Sequence, residues 1–220
     1  MFKGLMKKIV KTIDSHRVYQ EATGNSLLKV LFDKGLTGEY LSFFKMNTIP
    51  GEHRTLFNMY IPKKRGGYTE VDLVFIHETG IYVAESKNYS AWIYGNGEQK
   101  NWTQVFPNGK EYSFYNPIKQ NEAHIRALQH VLPALPQNLF INLVVFSERC
   151  KLKEIEFTQE RTYVMKRPEL KELLLKLVKY RKVIFTPAQI QAMYDSLKQY
   201  EQVDERIVQE HRESVQKYQR

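Results

Sequence analysis

Two strand-like apolar runs, residues 69–76 and 81–88, meet at a short turn next to Gly80 and constrain the fold more than any other feature. Three charged residues lie inside these runs: Asp72, Glu85 and Lys87. A buried charge is costly unless a partner compensates it. The pattern therefore predicts a β-hairpin whose charged positions need a structural or a chemical reason.

The relative placement of these charges depends on the length of the turn. Alternate residues of a strand share a face, so Glu85 and Lys87 are predicted to be neighbours. An even-length loop around residues 78–80 places Asp72 on that face, and a three-residue loop places it opposite unless a bulge intervenes. The sequence leaves both arrangements open.

Two carboxylates and an amine at strand ends suit phosphodiester hydrolysis. The carboxylates can hold a divalent metal, and the lysine can steady a nucleophilic water or a phosphate oxygen. The competing interpretation is a surface salt-bridge cluster at strand ends. Because we expect these charges to be exposed, replacing any of the three should cost little stability. Other chemistries fit worse, because the chain has no Gly-rich phosphate loop, no Gly-x-Ser-x-Gly elbow and only one cysteine, Cys150, for a zinc cluster.

The flanking residues carry a wider pattern. Asp72 followed by Glu85-Ser86-Lys87 resembles the active site of the PD-(D/E)XK nuclease superfamily, and the surroundings resemble its nuclease-related domain (NERD) family. The elements that carry this resemblance, in chain order, are Gly38-Glu39, Glu70-Val71-Asp72, Gly80 through Glu85-Ser86-Lys87-Asn88, Trp102, and Asn116-Pro117-Ile118-Lys119-Gln120.

The resemblance implies a restriction-endonuclease-like α/β fold, with a mixed central sheet flanked by helices and helical extensions at both termini. It implies that Asp72, Glu85 and the Ser86 carbonyl oxygen hold Mg²⁺ or Mn²⁺, with Lys87 as a further catalytic residue. Glu39 and Gln120 are implied accessories of catalysis. The implied activity is a metal-dependent nuclease acting on DNA, and the alternative is a non-catalytic nucleic-acid-binding or adaptor domain that keeps the fold.

The net charge of +9 is uneven along the chain and biases it toward polyanions. Residues 1–35 carry 7 basic and 3 acidic side chains, residues 36–150 carry 11 and 10, and residues 151–220 carry 15 and 11. We predict nucleic-acid contacts for the basic loop Lys63-Lys64-Arg65 and for His124. A solvated turn and a surface polar residue are the competing interpretations.

The chain divides into three predicted regions: a basic helical extension over 1–35, a nuclease-related core over 36–150, and a strand with helices over 151–220 that packs on the core. Residues 1–13 read as a basic amphipathic helix, compatible with packing on the domain, with DNA contact or with peripheral membrane contact. No transmembrane segment or cleavable signal peptide is evident, and the single cysteine fits a cytoplasmic location. The C-terminal helix is a candidate homodimer contact.

The remaining pattern predicts further elements. Strands are predicted over residues 56–61, 140–146 and 162–165. Residues 89–115 are predicted to be a long excursion with a short hairpin across 106–110. Helices are predicted to begin at Thr37, at Asn116-Pro117, at Pro168 and at Thr186, and the last of them is predicted to continue to the C-terminus.

Overall fold

In the computed structural model, which describes residues 17, 19–20, 34–201 and 203–219, two mixed sheets are flanked by five helices. The strands are β1 (His53–Pro62), β2 (Tyr68–His77), β3 (Gly80–Lys87), β4 (Ala91–Asn96), β5 (Asn101–Val105), β6 (Glu111–Tyr115), β7 (Phe140–Phe146), β8 (Cys150–Glu156) and β9 (Thr162–Lys166). The helices are α1 (Lys34–Met46), α2 (Pro117–Val131), α3 (Leu170–Tyr180), α4 (Pro187–Lys198) and α5 (Glu205–Gln219).

The larger sheet has the strand order β1-β2-β3-β7-β9. Its first three strands are antiparallel, and β3, β7 and β9 run parallel to one another. Strand β7 is buried along its whole length, as expected for a parallel strand covered on both faces. The mixed sheet predicted from the sequence is thus confirmed. The carboxyl ends of the parallel strands β3, β7 and β9 lie at the same end of the sheet.

Two layers of helices cover this sheet. Helices α1 and α3 pack on one face, where Phe43 and Leu174 join a core that includes Phe75 and Val145. Helices α2 and α4 pack on the other face, where Leu128, Ile190 and Met193 contact the strand residues. This burial of apolar area on both faces is the main term that stabilises the fold.

The smaller sheet has the strand order β6-β5-β4-β8. The sequence pattern predicted only its hairpin across residues 106–110. The inner face of this sheet packs on the end of β7, through Trp102, whose ring stacks on Phe146 with centroids 6.0 Å apart. Gly95 makes this possible, because a Cβ there would lie 2.1 Å from the Trp102 ring. The turn predicted across residues 106–110 is confirmed, with Phe106 N–H bonded to the Lys110 carbonyl oxygen.

The other predicted elements mostly agree with the structure. The predicted strands over 56–61, 69–76, 81–88, 140–146 and 162–165 correspond to β1, β2, β3, β7 and β9. Helix α2 begins as predicted, with the Asn116 side chain capping it and Pro117 in its first turn. The Thr186 capping box with Gln189 also forms as predicted.

The single C-terminal helix predicted from Thr186 onward is wrong. The chain leaves α4 after Lys198 and starts α5 at Glu205. The residues between the two helices cover β1, the outer strand of the larger sheet. The Tyr200 carbonyl oxygen accepts a hydrogen bond from Tyr60 N–H at 2.9 Å, and the Glu201 carboxylate accepts one from Phe57 N–H at 2.8 Å. These bonds occupy donors that an unprotected edge strand would leave open to pairing with another chain.

The structure bears only in part on the predictions for the N-terminal segment, for membrane spans and for the division into regions. The amphipathic helix predicted over residues 1–13 lies outside the described residues. Within the described ranges, no helix combines the length and the apolar character needed to cross a bilayer. The division into three regions stays a prediction, although β9 and the helices after residue 150 complete the two faces of the larger sheet.

The edge contact of Glu201 predicts a pH-dependent stability. Burial raises the pKa of Glu201 to about 7, against the opposing effects of the Phe57 N–H and Lys198. From about pH 4.5 to pH 7 the folded chain therefore holds a proton that the unfolded chain has lost, so this residue makes the fold less stable as the pH rises through that window. We expect Glu201→Gln, which keeps an acceptor oxygen, to match the wild type at pH 5 and to exceed its stability at pH 8.

Urea denaturation at pH 5, 6, 7 and 8 measures this difference. Glu210→Gln, an exposed site on α5, is the matched control and should leave the pH profile unchanged. Parallel pH profiles for the wild type and Glu201→Gln would show that Glu201 carries the same proton occupancy in both states.

Candidate active site

The turn of the β2–β3 hairpin bears on whether Asp72 and Glu85 lie on the same face of the sheet, which the sequence left open. His77 pairs with Gly80, so the loop consists of two residues, Glu78 and Thr79. The last registered pair is Leu73 with Ala84, and the same register places Asp72 opposite Glu85. The loop therefore has even length, which is the arrangement that places Asp72 and Glu85 on the same face, and the negative charge of Glu85 acts on Asp72.

Asp72 lies where the ladder between β2 and β3 stops. Its Oδ2 accepts a hydrogen bond of 2.7 Å from the Ser86 backbone N–H. The carboxylate thus takes the position of a β2 backbone acceptor and continues the pairing by one step. This bond fixes the orientation of Asp72 relative to the residues on both sides of Ser86.

Asn58 on β1 is a site residue that the sequence analysis missed. It has a φ of 43°, in the left-handed region that Asn tolerates better than most residues. With its amide nitrogen turned toward the two acceptors, Asn58 donates to the Asp72 carbonyl oxygen at 3.3 Å and to Glu39 Oε2 at 3.2 Å. A lone Asn inside the apolar run 56–61 was the available signal.

The backbone at Asn58 also changes which way the strand side chains face. Leu56 and Met59 belong to the same hydrophobic cluster beneath α2 and α4, although residues three apart face opposite sides of a regular strand. Val71 and Val74 show the same shift on β2. The alternation is therefore interrupted in both strands around Asn58 and Asp72, which frees Asp72 from the regular packing of the sheet.

Glu85 and Lys87 project from the end of β3 toward helix α2. Lys87 Nζ lies 2.8 Å from Glu85 Oε1 and donates to Gln120 Oε1 at 2.9 Å. His124, one helical turn after Gln120, places Nδ1 3.3 Å from Glu85 Oε2. Glu85 and His124 are only 2% and 3% exposed, so this cluster is part of the interior.

Helix α1 brings Glu39 to the same end of the sheet from the opposite layer. Gly38, the residue before it, allows Arg167 to approach the helix, because a Cβ on Gly38 would lie 2.8 Å from Arg167 Nη2. Arg167 is buried and pairs with Glu148 at 2.7 Å. The Gly38-Glu39 pair is thus explained by a close approach at Gly38 and by a contact with Asn58 at Glu39.

The electrostatics of the cluster are dominated by burial and by crowded carboxylates. Burial and the negative charges of Glu85 and Glu39 raise the pKa of Asp72 well above its ordinary range, against the effect of Lys87. Burial disfavours the charged form of Lys87, but Glu85 and Asp72 outweigh it and raise the pKa of Lys87. Burial lowers the pKa of His124 to about 4 despite the nearby Glu85, so its ring is neutral at neutral pH.

These residues fit a divalent cation held by oxygen ligands. Glu85 Oε2 is buried and accepts no hydrogen bond, and Asp72 carries repulsion that a cation would relieve. In the part of the chain that the structure describes, no group of three or more His, Cys, Asp and Glu side chains is arranged around a metal position. The ion would therefore take its remaining ligands from the Ser86 carbonyl oxygen, water and substrate.

The structure brings seven of the predicted residues together and leaves only the basic loop apart from them. The seven are Asp72, Glu85, Ser86, Lys87, Glu39, Gln120 and His124. Their catalytic and metal-binding roles stay predictions. Residues 63–67 form the β1–β2 turn, and the strand from Tyr68 to Asp72 spans about 13 Å. The basic loop Lys63-Lys64-Arg65 thus lies beyond the same end of the sheet without touching the carboxylates.

Two side chains that were predicted to be exposed, those of His124 and Glu85, are buried. His124, predicted to contact nucleic acid, lies behind Glu85 and is buried, because its helical position four residues after Gln120 turns it inward. The sequence also predicts that the charges of Asp72, Glu85 and Lys87 are exposed, so that their removal costs little stability. Glu85 is buried, so this prediction is wrong for this residue.

Comparison with known proteins agrees with this geometry. The family model described as the nuclease-related domain matches residues 34–147, more than half of the 220 residues. An uncharacterized protein of Bacillus anthracis is 30% identical over 180 residues, which cover 81% of this chain and 82% of that protein. No solved structure matches the chain.

The buried charges predict opposite stability effects for two substitutions. Lys87→Ala leaves the Glu85 carboxylate buried without its partner and should lower the free energy of unfolding by about 3 kcal/mol. Asp72→Asn removes one of three crowded carboxylates and should raise the stability of the metal-free protein. Urea denaturation in the presence of EDTA measures both changes.

A double variant separates lost pairing from lost packing. Lys87→Met with Glu85→Gln removes both charges at similar volume, so it should be less destabilised than Lys87→Ala. Equal losses in the single and double variants would contradict the ion-pair explanation.

Proposed function

This chain belongs to the nuclease-related domain family, and we propose that it is a nuclease that hydrolyses phosphodiester bonds of DNA with Mg²⁺ or Mn²⁺ as cofactor. The observation that carries this proposal is the convergence of Asp72, Glu85 and Lys87 at the end of the β2–β3 hairpin. The family relationship supports a nuclease-related function, and the convergence supplies the chemistry.

In the proposed mechanism Asp72, Glu85 and the Ser86 carbonyl oxygen would hold the metal ion. When bound, the ion would polarise the phosphate and make the attacking water more acidic. Lys87 stabilises negative charge that develops on the phosphate and orients the nucleophile. Its ammonium is kept charged by the neighbouring carboxylates, which suits this role.

Three further side chains hold this arrangement in place. Gln120 accepts a hydrogen bond from Lys87 and so limits the positions open to the amine. Asn58 links the Glu39 carboxylate to the backbone of Asp72. His124 fills the space behind Glu85 as a neutral ring, so it excludes water there without adding a positive charge.

One observation favours the alternative of a non-catalytic nucleic-acid-binding or adaptor domain. Without a metal, Lys87 engages Glu85 and the Ser86 N–H engages Asp72, so each carboxylate already has one partner. A domain that binds nucleic acid through its basic surfaces could keep this cluster for stability alone. Cleavage distinguishes the two functions directly.

The first functional prediction concerns metal-dependent cleavage. We expect the purified protein to cut DNA with Mg²⁺ or Mn²⁺ and not with EDTA. Asp72→Asn, Glu85→Gln and Lys87→Met should each reduce the rate by about a hundredfold or more, and Glu39→Ala and Gln120→Ala should reduce it in part. Single-turnover assays on single-stranded and duplex DNA, with RNA in parallel, measure these rates.

Controls keep this assay specific. Glu111→Gln, an exposed site on β6, is purified in the same way and should cut like the wild type. Mn²⁺ should raise the melting temperature of the wild type and not that of Asp72→Asn, because ligand binding stabilises the folded state. Nucleic-acid binding without any cleavage or metal-induced stabilisation would favour the adaptor function.

The second functional prediction concerns the basic loop. Replacing Lys63, Lys64 and Arg65 with Ala should weaken DNA binding and reduce the log–log salt slope by about 1 for each phosphate that the loop neutralises in the wild type. Single-turnover cleavage at saturating DNA should change little, because these side chains do not touch the carboxylates.

The matched control removes three positive charges elsewhere. Lys110, Lys151 and Lys153 are exposed on the smaller sheet, and their replacement with Ala changes the net charge equally. Fluorescence anisotropy across a salt series compares the two triple variants. If affinity falls equally in both, the loop contributes only through net charge and is otherwise a solvated turn.

A further inference from the structure

An exposed apolar patch covers the end of helix α3 and the loop after it. Among the described residues, nine large hydrophobic side chains are exposed, and four of them fall between residues 175 and 184. These are Leu175, Tyr180, Val183 and Ile184, with exposures of 39%, 73%, 66% and 40%. Single exposed apolar residues are normal on a protein surface, but four within ten consecutive residues make this segment a candidate interaction surface.

The fold holds this patch in place. Helix α3 buries Leu170 and Leu174 against the larger sheet, and Leu175 and Tyr180 lie exposed on either side of that buried stripe. Both Ile184 N–H and Phe185 N–H donate to the Glu78 carbonyl oxygen, at 2.7 and 3.1 Å. Phe185 enters the core, so the preceding apolar pair is presented outward on an anchored loop.

The charge around the patch is strongly positive. Between residues 170 and 184 the chain has five cations and one acidic residue, Glu172. The cations are Lys171, Lys176, Lys179, Arg181 and Lys182, and the four lysines are exposed. The patch stays positive even when Glu78 and Glu52 of the adjoining turns are counted.

We propose that the patch formed by residues 175–184 attaches the protein to the surface of an anionic membrane. Aliphatic and aromatic side chains ringed by lysines are the composition that enters the headgroup region of such a bilayer. Lys179 Nζ lies 5.3 Å from the centroid of the Tyr180 ring, so a cationic and an aromatic side chain of the patch are in contact. This proposal does not rest on the proposed nuclease activity.

Two other occupants fit the patch less well. Nucleic acid would use the lysines, but Val183 and Ile184 offer no hydrogen bond to a phosphate or a base edge. A second copy of this chain would bring two strongly positive patches together, and their repulsion opposes that contact. An anionic bilayer uses both the apolar and the cationic residues at once.

The position of the patch gives the attachment a direction. Arg181 Nε donates to the Thr79 carbonyl oxygen at 3.2 Å, so the patch adjoins the β2–β3 turn. Strand β3 leads from that turn to Lys87, a distance of about 23 Å for its eight residues. Attachment through the patch therefore leaves the carboxylate cluster at the far end of the sheet, away from the membrane.

Vesicle co-sedimentation of the full chain tests the proposal. The protein should bind vesicles of phosphatidylcholine with about 30% phosphatidylglycerol and not vesicles of phosphatidylcholine alone. Val183→Ser with Ile184→Ser should lower the partition coefficient by roughly tenfold or more. The matched control, Leu41→Ser with Val215→Ser, removes two exposed apolar side chains elsewhere and should bind like the wild type.

A local probe shows whether the patch itself enters the bilayer. Cys150 is buried, so an environment-sensitive dye can be placed at Val183→Cys or, as the comparison, at Lys64→Cys beyond the opposite end of the sheet. Anionic vesicles should shift the emission of the dye at position 183 to the blue and leave that at position 64 unchanged.

Four results would overturn the proposal, and each has its own meaning. Failure to bind anionic vesicles excludes a membrane role for the patch. Binding without a shift at position 183 assigns attachment to another segment, such as residues 1–13. A loss of DNA affinity in the Val183→Ser, Ile184→Ser variant without a loss of vesicle binding indicates a nucleic-acid surface. If the wild type sediments as a dimer and the Val183→Ser, Ile184→Ser variant as a monomer, the patch binds a second copy of the chain.

Discussion

The buried ion pair between Glu85 and Lys87 is the interaction on which the rest of the candidate site depends. A carboxylate that is 2% exposed at the end of a sheet is tolerable only with a close cationic partner. Lys87 is that partner, and Gln120 and His124 close the cluster from helix α2. The packing of α2 on the sheet, set by Ile125 and Leu128, therefore also sets the geometry of the charges.

The crowding of carboxylates around Asp72 opposes stability rather than adding to it. Asp72 is buried near two other acidic residues, Glu39 and Glu85, and the opposing effects of Lys87 and of the Ser86 N–H do not outweigh them. Glu85 Oε2 accepts no hydrogen bond although it is buried. Interiors rarely keep such a group unsatisfied. A bound cation would satisfy the unpaired oxygen and relieve the crowding, and this supports our proposal of metal-dependent chemistry over a structural ion pair.

Local sequence signals predicted much of the fold, because they are properties of neighbouring residues. The hairpin runs, the Asn116-Pro117 helix start and the Thr186 capping box are all of this kind. The faces of Asp72 and Glu85 depended on one residue of loop length, which the sequence left open. The smaller sheet was missed because its strands are short and their inward residues pack on β7, a contact between distant segments. Asn58 was missed because its backbone angle and its two acceptors exist only in the folded chain.

The break between α4 and α5 shows how tertiary demands override helix propensity. No Gly or Pro interrupts residues 188–220, so local preference favours one helix. The fold instead uses residues 200 and 201 to occupy backbone donors of β1. That strand carries Asn58, and Asn58 contacts both Glu39 and the backbone of Asp72. A bond at the outer edge of the sheet thus supports the strand that orients two carboxylates of the cluster, which gives the C-terminal segment a part in the geometry of a site it does not contact.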